Sequence, residues 1–225
     1  MRDFVWQKNR LDTFGRHIQG FPENEPNQPQ RMLIMHPLIE HFETYLPLNE
    51  EERRLVEAKA TLRKIKRRQM ILQEGFVCNH YSFVVEGCFR MYGLDNKGTE
   101  YNLQFAAEND WIADIGSFHS GKPSQLFIEA IEPSVIWQIK KEDLYFLYLS
   151  IPKLDRIFKV IIENKYVELQ NRVLQNISST AQQRYLNFLE QYPTLSLRLP
   201  NVQIASYLGI TPEFLSKIRK DLSEK

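Results

Sequence analysis

A chain of 225 residues, 43% of them hydrophobic and 25% charged, has the size and composition of a globular protein with one sizeable core or two small ones. Its net charge of +1 neither supports nor excludes nucleic-acid binding, because a small basic face can hide in a balanced total. Cys78 and Cys88 are too few for a disulfide framework, an iron–sulfur cluster or any other multi-cysteine metal site, and no apolar run is long enough to span a bilayer. With no signal-peptide pattern at the start, the expectation is a cytoplasmic protein with reduced thiols, no membrane partner, no metal and no cofactor.

In chain order, residues 1–34 read as a flexible N-terminal extension. The stretch Phe21–Gln30 carries three prolines and no apolar period, although Phe4, Val5, Trp6, Leu11 and Phe14 could form a short anchoring helix. Met32 and Met35 are alternative starts. Residues 35–150 read as one domain. A short apolar helix is expected over His36–Leu46, and Asn49 followed by Glu52 makes a capping box for the next helix. Arg63, Lys64, Lys66, Arg67 and Arg68 read as a solvated strand edge rather than a phosphate patch. From about Thr61 to Lys141 come short runs rich in β-branched and aromatic residues: 70–72, 81–85, 88–92, 101–105, 127–131 and 135–139. Turn residues separate them, which predicts a small antiparallel β-roll.

Residues 151–177 carry no glycine and no proline after Pro152, predicting one long helix. Ile157, Val160, Asn164, Val167, Asn171 and Leu174 recur at alternating steps of three and four, the seam of two paired parallel helices, with asparagine fixing register. Packing of the same helix on its own roll is the competing reading. Ser179, with Gln182 three residues on, is expected to cap the following helix. Ala181, Tyr185, Phe188, Leu189 and Tyr192 would form that helix's apolar face. Leu195–Leu199 has the alternation of a strand.

Residues 178–225 end in N-V-Q-I-A-S-Y-L-G-I-T-P-E-F-L-S-K-I-R-K-D-L from Asn201 to Leu222, the pattern of a helix–turn–helix. Ala205 is small where two helices cross, and Gly209 can turn left-handed. Thr211 and Pro212 start the second helix. The polar residues Gln203, Thr211, Glu213, Ser216, Lys217, Arg219 and Lys220 are the expected contacts to double-stranded DNA. Glu213 would accept from cytosine and Lys217 donate to guanine, while Arg219 and Lys220 hold phosphates and Gln203 touches the backbone. Only Ser223–Lys225 follow, so no full wing is expected.

The order roll, long helix, helix–turn–helix resembles the Crp/Fnr family of bacterial transcription regulators. The resemblance covers roughly residues 36–222. It rests on Val84–Tyr92, Gly98-Thr99-Glu100, Asn109–Phe118 and the terminal motif. It implies an α+β fold: an N-terminal antiparallel jelly roll like a cyclic-nucleotide-binding domain, a dimerisation helix and a DNA-binding end. It also implies a homodimer that senses a small effector. The family's cyclic-AMP ligands align with Asp114, Ser124 and Gln125, and on the long helix with Leu169 and Gln170. The acid is thus one carbon shorter than the family's glutamate, and the phosphate-clamping arginine is missing, so an effector other than cyclic AMP is expected. His80 and His119 are lone histidines with no haem signature beyond their residue type. No phosphate loop, nucleophile elbow or His-Glu metal helix appears, so no enzyme is expected. A non-catalytic scaffold acting through protein contacts is the alternative.

Overall fold

In this computed structural model residues 36–224 are described; the expected N-terminal extension lies outside them. Helix α1 spans Pro37–Glu43 and α2 spans Glu50–Lys59. The capping box is formed: Asn49 Oδ1 accepts from Glu52 N at 2.9 Å, and Glu52 Oε2 accepts from Asn49 N at 2.8 Å.

Eight strands follow: β1 Ala60–Ile65, β2 Met70–Leu72, β3 His80–Glu86, β4 Phe89–Leu94, β5 Glu100–Ala106, β6 Trp111–Ile112, β7 Phe127–Ala130 and β8 Ser134–Lys140. They form two antiparallel four-stranded sheets, ordered β1-β8-β3-β6 and β2-β7-β4-β5. The basic run begins on β1, which is an edge strand with exposed residues 61–64, as a solvated edge requires. Gly87 forms the corner between β3 and β4 at φ 97, and a Cβ there would lie 2.1 Å from Ser134 Oγ, so no other residue fits. The sequence reading missed β6, helix α3 (Ile115–Ser120) and helix α4 (Lys141–Ser150).

Helix α5 spans Pro152–Ser178. Its first half is a roll element. Leu154, Ile157, Phe158 and Ile161 are buried against the sheets, in a core where Phe42, Tyr81, Phe83, Trp111, Phe118 and Phe158 make ring contacts, such as Trp111–Phe158 at 5.0 Å. Ile157 therefore belongs to the core and not to a pairing seam. The rest of that seam, Val160, Asn164, Val167, Asn171 and Leu174, is exposed. A second stripe, Tyr166, Leu169, Val173 and Ile177, at steps of three, four and four, is 60%, 54%, 50% and 81% exposed.

Helix α6 spans Ala181–Gln191, and its cap is Thr180 with Gln183, one residue later than Ser179 and Gln182. α5 runs through Ser178, and Thr180 Oγ1 then accepts from Gln183 N at 3.3 Å. Leu195–Arg198 is a single helical turn, α7, and not a strand. Leu195 and Leu199 are buried while Leu197 is 88% exposed; a strand would turn all three to one side. Helices α8 (Asn201–Leu208) and α9 (Pro212–Ser223) complete the chain. A second core cluster joins them to Phe188 of α6 and to Phe105 and Cys88 of the roll, so the C-terminal helices are docked on the β4–β5 face.

Among the described residues, no helix is long and apolar enough to cross a membrane.

Candidate nucleic-acid interface and ligand pocket

The α8–α9 unit is built by its sequence in a way local chemistry accounts for. Gly209 closes α8 at φ 67 with open space around it, so its requirement is the left-handed backbone alone. Ile210 N then returns to Ala205 O at 3.0 Å. Thr211 Oγ1 accepts from Phe214 N at 3.2 Å and caps α9, with Pro212 in the first turn. Ala205, Ile204, Leu215 and Ile218 are buried at the crossing. The opposite face of α9 presents Glu213, Ser216, Lys217 and Lys220, all exposed and spaced i, i+3, i+4 and i+7. Ser216 Oγ also donates to Pro212 O at 2.9 Å, and Lys220 lies 3.8 Å from Glu224 in an exposed pair.

Two expected contacts are engaged elsewhere. Gln203 turns toward the roll, where its Oε1 accepts from Asn102 Nδ2 at 2.7 Å and from Arg90 at 3.1 Å. Arg90 is itself buried, paired with Glu129 at 2.6 Å and with Glu100, and it stacks on Tyr92 at 4.0 Å. Arg219 donates to Tyr185 Oη at 2.9 Å and to Asn201 Oδ1 at 2.5 Å, tying α9 to α6 and to the start of α8. Both side chains are structural ties in this conformation.

Further polar bonds fasten α8 to the roll. Ser206 Oγ donates to Glu100 O at 2.8 Å and accepts from Asn102 N at 3.1 Å. Arg172, on α5, donates to the carbonyls of Asn102 and Tyr207 at 2.9 Å each and to that of Leu103, and its guanidinium stacks on Tyr207 at 3.9 Å. Arg198 pairs with Glu108 and Glu132, which hold its guanidinium above its ordinary pKa range, Glu108 foremost. The sequence reading identified neither Arg172 nor Arg90. Their partners lie far along the chain, and no short-range pattern marks them.

The expected effector residues separate. Asp114 and Leu169 line a cavity of about 570 Å³ between the roll, α3, α5 and the C-terminal helices. Ser124 is buried and donates to Asp114 Oδ2 at 2.6 Å; Asp114 also caps α3 by accepting from Ser117 N at 3.1 Å. The two aligned positions thus satisfy each other. Gln125 is exposed, and Gln170 lies on the outer side of α5, donating to Tyr166 Oη at 3.3 Å. Deeper in the cavity wall, Lys165 bridges Asp110 at 2.8 Å and Glu168 at 3.1 Å. Burial pushes Asp110 up against the pull of Lys165. For Lys165 the two acids outweigh burial and hold its charge. Burial raises the thiol of Cys88 to about 12, which makes it an inert packing group.

Comparison with known proteins agrees with this architecture. Residues 62–150 match the family model for the cyclic nucleotide-binding domain. The protein named "Probable transcriptional regulator flp" of Lacticaseibacillus casei is 24% identical over 186 residues, covering 79% of this chain and 83% of that protein. Among solved structures, FixK2 of Bradyrhizobium japonicum is similar with a TM-score of 0.66 at 22% identity, over 73% of this chain and 85% of FixK2. A Crp/Fnr-family regulator from Eubacterium rectale is similar with a TM-score of 0.63 at 18% identity, over 82% of this chain and 88% of its own.

Proposed function

We propose that this chain, which belongs to the Crp/Fnr family of transcriptional regulators, reads double-stranded DNA as a homodimer, through α9, under the control of an effector bound in its roll. The observation that carries the reading is the exposed polar face of α9 on a capped helix set by the Gly209 turn. Glu213 accepts from a cytosine amino group and Lys217 donates to guanine, with Ser216 as a lesser contact. Lys220 holds a phosphate, and Thr211 adds a backbone contact to its capping role. Gln203 contributes by fastening α8 to the roll, and Arg219 by holding α9 against α6 and the start of α8. Two copies paired along α5 set two reading helices about one DNA turn apart, roughly 34 Å.

The effector is not cyclic AMP. The Asp114–Ser124 bond occupies the acid that a ribose would need, and the arginine that shares its cavity, Arg172, has its two terminal nitrogens bonded to backbone carbonyls, so it does not offer the fork that clamps a phosphate. An effector acts by shifting how α5 and the docked helices set the spacing of the two α9 elements.

The test starts from genomic fragments enriched by the purified protein, followed by anisotropy titrations across salt. Binding should weaken steeply with salt as counterions are released. Lys217→Ala should lose about 1–3 kcal/mol of discrimination at one base position, while Lys220→Ala should lower affinity for all sequences and reduce the salt slope by about one. Binding unchanged by both substitutions would overturn the assignment.

A further inference from the structure

The cavity beside Asp114 has a chemical character that its location does not dictate. At about 570 Å³ it falls in the range of small-molecule sites, roughly 300–1,000 Å³. Its wall is supplied by Met91, Leu103, Ala113, Ile115, Ile162 and Leu169. Most of the polar groups that reach it are already matched, the Nε of Arg172 excepted. Asp114 holds Ser117 and Ser124, Lys165 holds Asp110 and Glu168, and Glu168 also accepts from Gln191 Nε2 at 2.7 Å and from Tyr192 Oη. Arg172 spends three donors on backbone carbonyls, one of them at the C-terminal end of α8, where a cation is favoured. Gln104 Nε2 donates to Trp111 O at 3.2 Å. A polar or charged guest would have to break these pairs and leave buried groups unmatched, at about 1–3 kcal/mol each. An apolar guest leaves them intact and gains only by covering the wall.

We infer that this pocket takes a neutral, predominantly apolar small molecule, and that the molecule acts on the reading head by direct contact with Tyr207 and Tyr192. This rests on the effector reading above and names the ligand class. Tyr207 lies on α8 and Tyr192 caps the end of α6; both line the cavity, with Tyr207 packed on Phe105 of the roll at 5.2 Å between ring centroids. A guest held there touches the roll and the C-terminal helices at once. It therefore interacts differently with docked and undocked arrangements, the condition for coupling two sites.

The experiment uses the full chain and the neutral fluorophore N-phenyl-1-naphthylamine as probe, with cyclic AMP as the polar arm. Leu103→Arg and Ile115→Arg each put a charge on the wall at residues that are 42% and 40% exposed, so neither disturbs a filled core. Expected are saturable probe fluorescence at one site per chain, no displacement by cyclic AMP, affinity weakened about tenfold or more in both variants, and a changed DNA affinity when the probe is bound. Equal probe binding by wild type and both variants, no saturation, or displacement by cyclic AMP would each overturn the inference. So would probe binding that leaves DNA affinity unmoved. Loss of Lys217-dependent DNA binding in the probe-free protein would instead strike the DNA-reading proposal, and probe binding lost in both variants would leave the ligand class standing.

Discussion

His41 makes stability depend on pH in a way that one substitution can separate. Its Nε2 accepts from Trp111 Nε1 at 3.1 Å, so the ring must be neutral, and burial lowers its pKa from 6.5 to about 4. Between those values the unfolded chain binds a proton that the folded chain refuses. Stability is therefore complete above pH 6.5 and declines as pH falls toward 4. His41→Gln keeps an acceptor for Trp111 without the titration. Denaturant midpoints measured from pH 7.5 to 4 should fall less steeply in the variant. Part of the slope survives in both proteins, because burial also lowers His80, with help from Arg63 and Lys140. Parallel slopes in the two proteins would refute the assignment to His41. Nothing in the sequence marks His41 for this role, since its partner Trp111 is reached only by folding β6 against α1. Thr211 and Gly209, by contrast, are legible at a glance because a cap and a left-handed turn are decided within four residues.

At the scale of elements, the sequence pattern identifies α5 but not which of its faces is spoken for. An amphipathic reading of Ile157, Val160, Asn164, Val167, Asn171 and Leu174 is correct as periodicity, yet Ile157 is taken by the roll. Periodicity reports that a stripe exists, and only the packed sheets tell which stripe remains. The same limit explains Leu195–Leu199, where alternation of leucines suits a strand until no neighbouring strand is there to pair with it. Of the two exposed stripes, Tyr166, Leu169, Val173 and Ile177 is wholly composed of large apolar or aromatic residues, whereas the other interleaves Asn164 and Asn171. Burying four such side chains favours association by roughly 1.5–3 kcal/mol each before ordering costs. Pairing is therefore expected along the Tyr166–Ile177 stripe, whose Tyr166 and Leu169 also line the cavity, so the partner helix meets the open side of that pocket. In sedimentation equilibrium the double variant Val173→Glu, Ile177→Glu should run as a monomer, and Val167→Glu should remain paired. The reverse pattern would return the seam to the asparagine stripe. Both variants lie in the outer half of α5, clear of the buried Leu154, Ile157, Phe158 and Ile161, so folding of the roll is not at stake.

Across the whole molecule, the arrangement of sensor and reader turns on one side chain. Arg172 leaves α5 and bonds the carbonyls of Asn102 and Leu103 on β5 and of Tyr207 on α8, so a single guanidinium joins roll, long helix and helix–turn–helix. The remaining ties around it are Gln203 to Asn102 and Arg90, and Ser206 to Glu100 and Asn102, while Arg198 of α7 pairs with Glu108 and Glu132 elsewhere on the roll. An arginine fork meets several carbonyls in one plane, which an ammonium cannot do, so Arg172→Lys should fail nearly as fully as Arg172→Ala. Removing it also strips the cation from the C-terminal end of α8 and the stacking partner from Tyr207. The roll keeps its own core of Phe83, Trp111 and Phe158 and should be indifferent. Amide hydrogen exchange therefore separates the two halves. In Arg172→Ala, protection over α8 and α9 should drop while that of β3 and β8 holds, because docking and not folding is lost. DNA affinity should then change without any change in base preference, since α9 still presents Glu213 and Lys217 but no longer at a fixed angle. If β3 and β8 lose protection together with α8, the arginine supports the entire fold and the two ends of the molecule are not separable states.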